Sequence, residues 1–165
     1  MFRRGKGKPA AGGGGVYEDL RAQALGAVAA GLAPPAAEHP HVWGVVIDIP
    51  RDGAWVTIVA LGDGSTSMYT STGGGTIGAG AHEVVRAANE QLLTVIEREV
   101  LPHLDPSPGT HPPTTHVRYH VLGADGLLGI DVPDATFWGE RGGGGNLVDA
   151  AQYLIHTIST VSGPP

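Results

Sequence analysis

The residues with the clearest chemical potential surround a glycine tract, which lies between a Ser/Thr-rich segment and a helical pattern. Five glycines fall within residues 73–80, GGGTIGAG. Amide groups at a strand-to-helix junction can bind an anion, because glycine permits close backbone approach and a helix N-terminus is positively polarised. The candidate ligand-binding residues are Gly73, Gly74, Gly75, Thr76, Gly78, Gly80 and His82. The same glycines would also allow close helix–sheet packing, and this alternative is favoured.

Known phosphate-binding motifs fit the tract poorly. A P-loop ends in Gly-Lys-Ser/Thr, whereas the chain contains no lysine after Lys8. The dinucleotide pattern G-x-G-x-x-G matches Gly73, Gly75 and Gly78, but the preceding strand is polar and is expected to be antiparallel. A small-anion or nucleotide-binding protein is therefore the second functional hypothesis.

A hydrolase is the third hypothesis, because hydroxyl groups precede a histidine in the same region. Ser65, Ser67 and Ser71 could be activated by His82, with Asp63 or Glu83 as the orienting acid. The G-x-S-x-G nucleophile motif is missing, and the β propensity of Ser/Thr-rich strands explains the hydroxyl groups better. No catalytic residue is assigned.

The eight histidines raise the question of a metal site. His39 and His41 flank a proline, while His116 and His120 share a strand face with Arg118 between them, where its cation would repel a divalent metal. The chain has no cysteine and no H-E-x-x-H motif. We expect solvent-facing histidines in both places, no metal and no cofactor.

Two carboxylates interrupt apolar strand patterns. Asp48 lies in VWGVVIDI and Asp131 in the last hairpin. A buried carboxylate costs several kcal/mol unless it is paired. We expect Asp48 to be inert at an edge or in solvent; burial beside the glycine tract would make it a candidate acid. The three tryptophans, Trp43, Trp55 and Trp138, are interpreted as core or interface anchors.

Two short motifs resemble a family of uncharacterised bacterial proteins that share D-G-S/T-x-S-x-Y and G-G-G-x-I-G-x-G. They occupy residues 63–69 and 73–80. The similarity is centred on about 40 residues and implies no known activity, so it points to a site without assigning a function.

The periodicity of apolar residues predicts the elements that position these groups. Helices are predicted at residues 17–32 and 81–104 and after Asn146, which can cap the last one; strands are predicted at 42–49, 55–61, 65–71, 116–122 and 127–132. The order α-β-β-β-α-β-β-α indicates an α+β fold with an antiparallel sheet of about five strands and three flanking helices. The architecture looks like that of roadblock and profilin-like domains, although the strand order departs from roadblock and no residue roles are carried over.

Charge and glycine content divide the 165-residue chain in two. Residues 1–14 form a basic, Gly-rich tail that is expected to be disordered, and residues 15–162 form a single domain. The net charge is −6, and four of the ten basic residues lie in the tail, so the remainder carries −10. An acidic domain disfavours nucleic-acid binding. The sequence has no membrane-spanning apolar run, and we expect a cytoplasmic protein.

The leading functional hypothesis is a non-enzymatic protein–protein interaction module. Well-patterned core elements surround a region without a complete catalytic constellation. A protein partner or self-association as a homodimer, through a sheet edge or a terminal helix, is the expected form of binding.

Overall fold

A computed structural model describes residues 11–163, which form one seven-stranded antiparallel sheet and four α-helices. The strands are β1 (Val42–Arg51), β2 (Ala54–Leu61), β3 (Thr66–Thr70), β4 (Gly75–Thr76), β5 (Asp105–Pro106), β6 (His116–Gly123) and β7 (Gly126–Pro133). The helices are α1 (Ala11–Leu25), α2 (Glu83–Val95), α3 (Asp134–Phe137) and α4 (Gly145–Ser162). The order across the sheet is β4-β3-β2-β1-β6-β7-β5. No helix in residues 11–163 is both long and apolar enough to cross a membrane.

The predicted α+β fold with an antiparallel sheet is confirmed, but the number of strands and the helix order were wrong. The two additional strands, β4 and β5, contain two residues each and are too short to show an alternating pattern. Helix α3 lies between the last predicted strand and the last predicted helix, where the sequence predicted no element. Helix α1 begins at Ala11, so residues 11–14, assigned to the tail, belong to a helix. The other tail residues, 1–10, lie outside the described part.

The two faces of the sheet have different chemistry because side chains alternate along each strand. On one face Ile47, Ile49 and Ile58 are buried in the main apolar core. On the other face Asp48 and Thr57 are buried beside a smaller apolar cluster. The β1–β2 turn fixes this register through positive φ angles of 53° at Asp52 and 79° at Gly53, as in two-residue hairpin turns.

Helices cover both faces. Helices α2 and α4 pack on the apolar face, and the end of α2 continues through a π-helical segment, Ile96–Val100, and a short 3₁₀ turn, Leu101–His103. Tyr17 of α1 belongs to the apolar cluster on the opposite face. The expected cap by Asn146 was wrong, because helix α4 already begins at Gly145. The side-chain nitrogen Nδ2 of Asn146 instead lies 3.0 Å from Glu99 Oε1.

The glycine tract lies between β3 and α2, and two of its glycines pack against neighbouring backbone. A Cβ on Gly75 would lie 2.3 Å from the carbonyl oxygen of Met68, and one on Gly80 would lie 2.1 Å from that of Gly64. The two sequence motifs therefore contact each other through backbone atoms. Close packing, the alternative favoured by the sequence, accounts for these two positions.

We expect Gly80→Ala to destabilise the fold by about 1–3 kcal/mol, because the added methyl group can be accommodated only if the backbone shifts. Gly80 does not adopt a positive φ, so the effect is steric. Gly15→Ala is the matched control: Gly15 lies in α1 with open space around its Cβ position, and we expect a neutral to slightly stabilising effect. Urea unfolding measures both, and equal stability of the two variants would contradict the packing role.

Candidate functional site

The most connected polar site is centred on Asp48 in the middle of β1. Its side chain is fully buried, with an exposed fraction of 0%. Asp48 is in register with Thr57 on β2 and Arg118 on β6. The expectation of an edge or solvent-facing carboxylate was wrong, because β1 is an interior strand of the sheet.

Three side chains donate hydrogen bonds to the Asp48 carboxylate. Arg21 Nη2 lies 2.6 Å from Oδ2 and Arg21 Nε lies 3.1 Å from Oδ1. Thr57 Oγ1 donates to Oδ1 at 2.8 Å, and His120 Nε2 lies 2.8 Å from Oδ2. Because both oxygens are bonded and one partner is a guanidinium, protein groups compensate the charge.

Two chains of hydrogen bonds extend from this centre, and together they define what we call the Asp48 network. In the first, the hydroxyl of Tyr17 lies 2.7 Å from Thr57 Oγ1 and 2.8 Å from His111 Nε2. Since Thr57 donates its proton to Asp48, Tyr17 donates to Thr57 and His111 donates to Tyr17. Helix α1 is thus tied to the sheet by two residues one helical turn apart, Tyr17 and Arg21.

The second chain passes through His120 to the loop after β5. His120 Nδ1 lies 2.8 Å from Ser107 Oγ, which accepts the amide of Gly109 at 3.1 Å. Arg21 Nη2 also donates to the carbonyl of Gly109 at 2.8 Å. These contacts fix the loop over the sheet. His120 Nε2–H donates to the carboxylate of Asp48, which can only accept, and the contact between Nδ1 and Ser107 Oγ can form with either atom as the donor.

The electrostatics follow from burial and pairing. Burial acts to raise the pKa of Asp48, but the hydrogen bonds from His120 and Arg21 outweigh it and lower that pKa to about 2. Burial raises the pKa of Tyr17 to about 12. His111 stacks on Trp55 with ring centroids 4.4 Å apart, and burial lowers its pKa. The network therefore contains a carboxylate, a guanidinium and a neutral His111 at neutral pH.

Ser107, His120 and Asp48 have the connectivity of a Ser–His–Asp relay, but the arrangement is unsuited to general-base catalysis. The imidazolium that such a relay forms would place its Nε2 only 3.4 Å from the Arg21 guanidinium. Arg21 already neutralises Asp48, and the side chain of His120 is fully buried. The network is suited to holding α1 and the loop after β5 against the sheet.

The predicted ligand-binding residues lie in sequence along the β3–α2 junction. Gly73, Gly74 and Gly78 have positive φ angles of 97°, 93° and 77°, and the amide of Gly73 is bonded to the carbonyl of Thr70. His82 precedes α2 and makes no side-chain cap. Anion binding at this junction remains a prediction.

The serines proposed for a hydrolase make other contacts. Ser71 Oγ accepts the amide of Trp55 at 2.9 Å, and the amide of Ser65 is bonded to Asp63. In the described residues, no hydrogen bond joins Ser65, Ser67 or Ser71 to a histidine.

The expectation of solvent-facing histidines was wrong for His39 and His120, whereas the His41 side chain is 57% exposed. His39 is fully buried, with Nδ1 2.8 Å from the carbonyl of Val42 and Nε2 3.0 Å from Glu90. His120 is buried in the Asp48 network, while its strand neighbour Arg118 pairs with Asp131 at 2.7 Å. Across residues 11–163 no group of three or more His, Asp or Glu side chains could hold a metal ion.

An apolar groove opens on the other face of the sheet, over the ends of β1, β2 and β3. It has a volume of about 350 Å³, and its lining is almost wholly apolar: Ile49, Val56, Met68, Gly75, Trp138 and Ile155, with Thr70 and Arg51. The Arg51 guanidinium carbon lies 4.4 Å from the centre of the Trp138 ring. We call this site the apolar groove.

Trp138 also borders a second, more polar cavity of about 630 Å³, which we call the outer cleft. Residues that line it include Glu140, Arg141, Asp149, Tyr153 and His156. Trp138 and Tyr153 are 40% and 46% exposed, so two large aromatic rings lie at the surface together. The sequence identified Trp138 as an interface anchor or a core residue, but it gave no sign of the two cavities.

Comparisons with protein-family models, with curated proteins and with solved structures find no match for this chain. The functional argument therefore depends on the geometry of the sites described above.

We expect Asp48→Asn to destabilise the protein by about 3–5 kcal/mol, because it leaves the Arg21 guanidinium buried without a counter-ion. Asp131→Asn is the matched control: it removes a partly exposed partner of Arg118, and we expect a loss of about 1 kcal/mol or less. Urea unfolding at pH 7 measures the difference. Equal losses in the two variants would contradict the central role of Asp48.

The depressed pKa also predicts a pH dependence. The unfolded chain has an Asp pKa of about 3.9 and the folded protein about 2, so Asp48 contributes roughly 2 kcal/mol of stability above pH 5. This contribution is lost as the pH falls through the folded-state pKa. In a ¹³C NMR titration, the Asp48 carboxyl shift should stay near its ionised value down to about pH 3 and change with a midpoint near pH 2, unless the protein unfolds first. A midpoint near pH 4 in the folded protein would refute this.

Proposed function

We propose that the protein is a protein–protein interaction module whose partner inserts an apolar anchor into the apolar groove. The observation that carries this proposal is Trp138, a partly exposed ring that forms a shared wall of the groove and the outer cleft. Apolar cavities with large rings at their rim are where interface energy concentrates.

The residue types around Trp138 support the proposal. Trp, Tyr and Arg are enriched at the energetic centres of interfaces. Here Trp138 and Tyr153 are exposed together, with Arg51 and Arg141 beside them. Isolated exposed apolar residues need no explanation, but this cluster adjoins two cavities.

The size of the groove favours an inserted side chain over a flat dimer contact. A stable dimer buries about 800 Å² on each partner, whereas a cavity of about 350 Å³ suits one or two large side chains. The groove also reaches Gly75 on β4, the edge strand of the sheet. An extended segment of a partner could therefore run along this edge, as in β-strand addition.

The proposed binding site lies on the face of the sheet opposite the Asp48 network. That network uses its polar groups internally, which supports a structural role, and the proposed module is non-enzymatic. Anion binding at the β3–α2 junction is less well supported, because Gly75 and Gly80 are occupied in backbone packing.

We expect Trp138→Ala to weaken partner binding by about 30-fold or more, which corresponds to about 2 kcal/mol, because it removes a wall of the apolar groove. Tyr153→Ala alters only the adjoining outer cleft and should weaken binding less. Tagged wild-type protein, each variant and Leu32→Ser are compared by affinity capture and by sedimentation equilibrium. Leu32 is 59% exposed and lies outside both cavities, so Leu32→Ser should bind like the wild type.

Circular dichroism and urea unfolding check that each variant remains folded. Capture that depends on Trp138 supports a partner protein, and self-association that depends on Trp138 identifies a homodimer as the complex. A monomeric protein whose captured proteins are the same for all variants would refute the proposal.

A further inference from the structure

The apolar groove contains one charged side chain, and this residue indicates what the occupant carries. Arg51 lies at the end of β1 and lines the groove with the apolar residues. Within residues 11–163 its guanidinium has only a loose contact with a carboxylate: Nε lies 3.9 Å from Asp52 Oδ2, and the Asp52 side chain is 94% exposed.

Two other arginines form close pairs with carboxylates, and their contacts can be compared with that of Arg51. Arg21 binds Asp48 at 2.6 Å, and Arg118 binds Asp131 at 2.7 Å. In both pairs two guanidinium nitrogens contact the carboxylate. Arg51 has no such intramolecular partner in the described part of the chain, so its donors remain available to a ligand.

The cation–π contact with Trp138 holds Arg51 beside the groove. The guanidinium carbon lies 4.4 Å from the ring centre, and the contact is made to the π-system, which accepts no hydrogen bond from the N–H donors that a ligand would need. The planar donor fork matches a carboxylate in two-point geometry. The contact also limits the rotamers of a long side chain, so less conformational entropy is lost when a carboxylate binds.

We propose that the apolar groove recognises an acidic peptide segment, in which a large apolar side chain fills the groove and a neighbouring Asp or Glu binds Arg51. This inference rests on the proposed function and specifies the chemistry of the partner. The groove adjoins edge strand β4, so a chain can continue past it, which favours an acidic side chain over a C-terminal carboxylate. The acidic protein, with a net charge of −6, would repel such a segment elsewhere.

The test uses capped dipeptides in ¹⁵N NMR titrations. N-acetyl-Phe-Asp-amide and N-acetyl-Phe-Asn-amide have the same shape and differ in charge, while N-acetyl-Phe with a free carboxylate represents a chain terminus. We expect the Asp peptide to shift the Trp138 indole and the amides of Ile49, Met68 and Gly75, and to bind about fivefold more tightly than the Asn peptide.

Two variants separate the groove from general electrostatics. Arg51→Gln should abolish the preference for Asp while retaining the weaker binding of the Asn peptide. Arg98→Gln removes the same charge from an exposed position that lines neither cavity and should leave the preference intact. Arg51→Lys should give an intermediate preference, because an ammonium group lacks the planar donor fork.

The inference is overturned if the Asp and Asn peptides bind equally, if the preference survives Arg51→Gln, if the free carboxylate probe binds most tightly, or if no groove residue shifts. Equal binding of the charged and neutral peptides at the groove would still leave the proposed function standing. The dependence of partner capture on Trp138 tests that function separately.

Discussion

The structure depends on one buried charge that needs several distant segments to compensate it. Asp48 lies in the centre of the sheet with no exposed surface. Its donors come from α1, from β2 and from β6, and Arg21 and Ser107 extend the same network to the loop after β5. An uncompensated carboxylate at this position would cost several kcal/mol, so all these segments must be in place together. The geometry of this face is a consequence of that requirement.

The sequence could predict the elements because their apolar periodicity is local. Strands β1, β2, β6 and β7 show clear patterns, and the Asp-Gly turn fixes the first hairpin. The partners of Asp48 could not be predicted in this way, because Arg21 and His120 are 27 and 72 positions away in the chain. The carboxylate inside an apolar strand was the available signal. The sequence did not show that β1 is an interior strand of the sheet, and this position is the reason why Asp48 is buried rather than exposed.

The same limit applies to the candidate binding site. The glycine tract is conspicuous in the sequence, but Gly75 and Gly80 pack closely against the backbone of neighbouring residues. The apolar groove, by contrast, combines residues from β1, β2, β3 and α4 with Trp138, and no single segment of the sequence marks it. Trp138 lies beside α3, a four-residue helix that is too short to show helical periodicity. The apolar groove, which best supports a function, is thus the site that is hardest to recognise from any one segment of the sequence.

The hydrogen bonds of Tyr17 and Arg21 have a consequence for how the molecule opens. Helix α1 and the loop after β5 are bonded to each other and to the same network, so detaching either one leaves a charged or polar group without its partner. Local fraying of these two segments is therefore coupled, and they should behave as a single cooperative unit in hydrogen exchange. A peripheral helix, ordinarily the first part to fray, here shares the protection of the central strand.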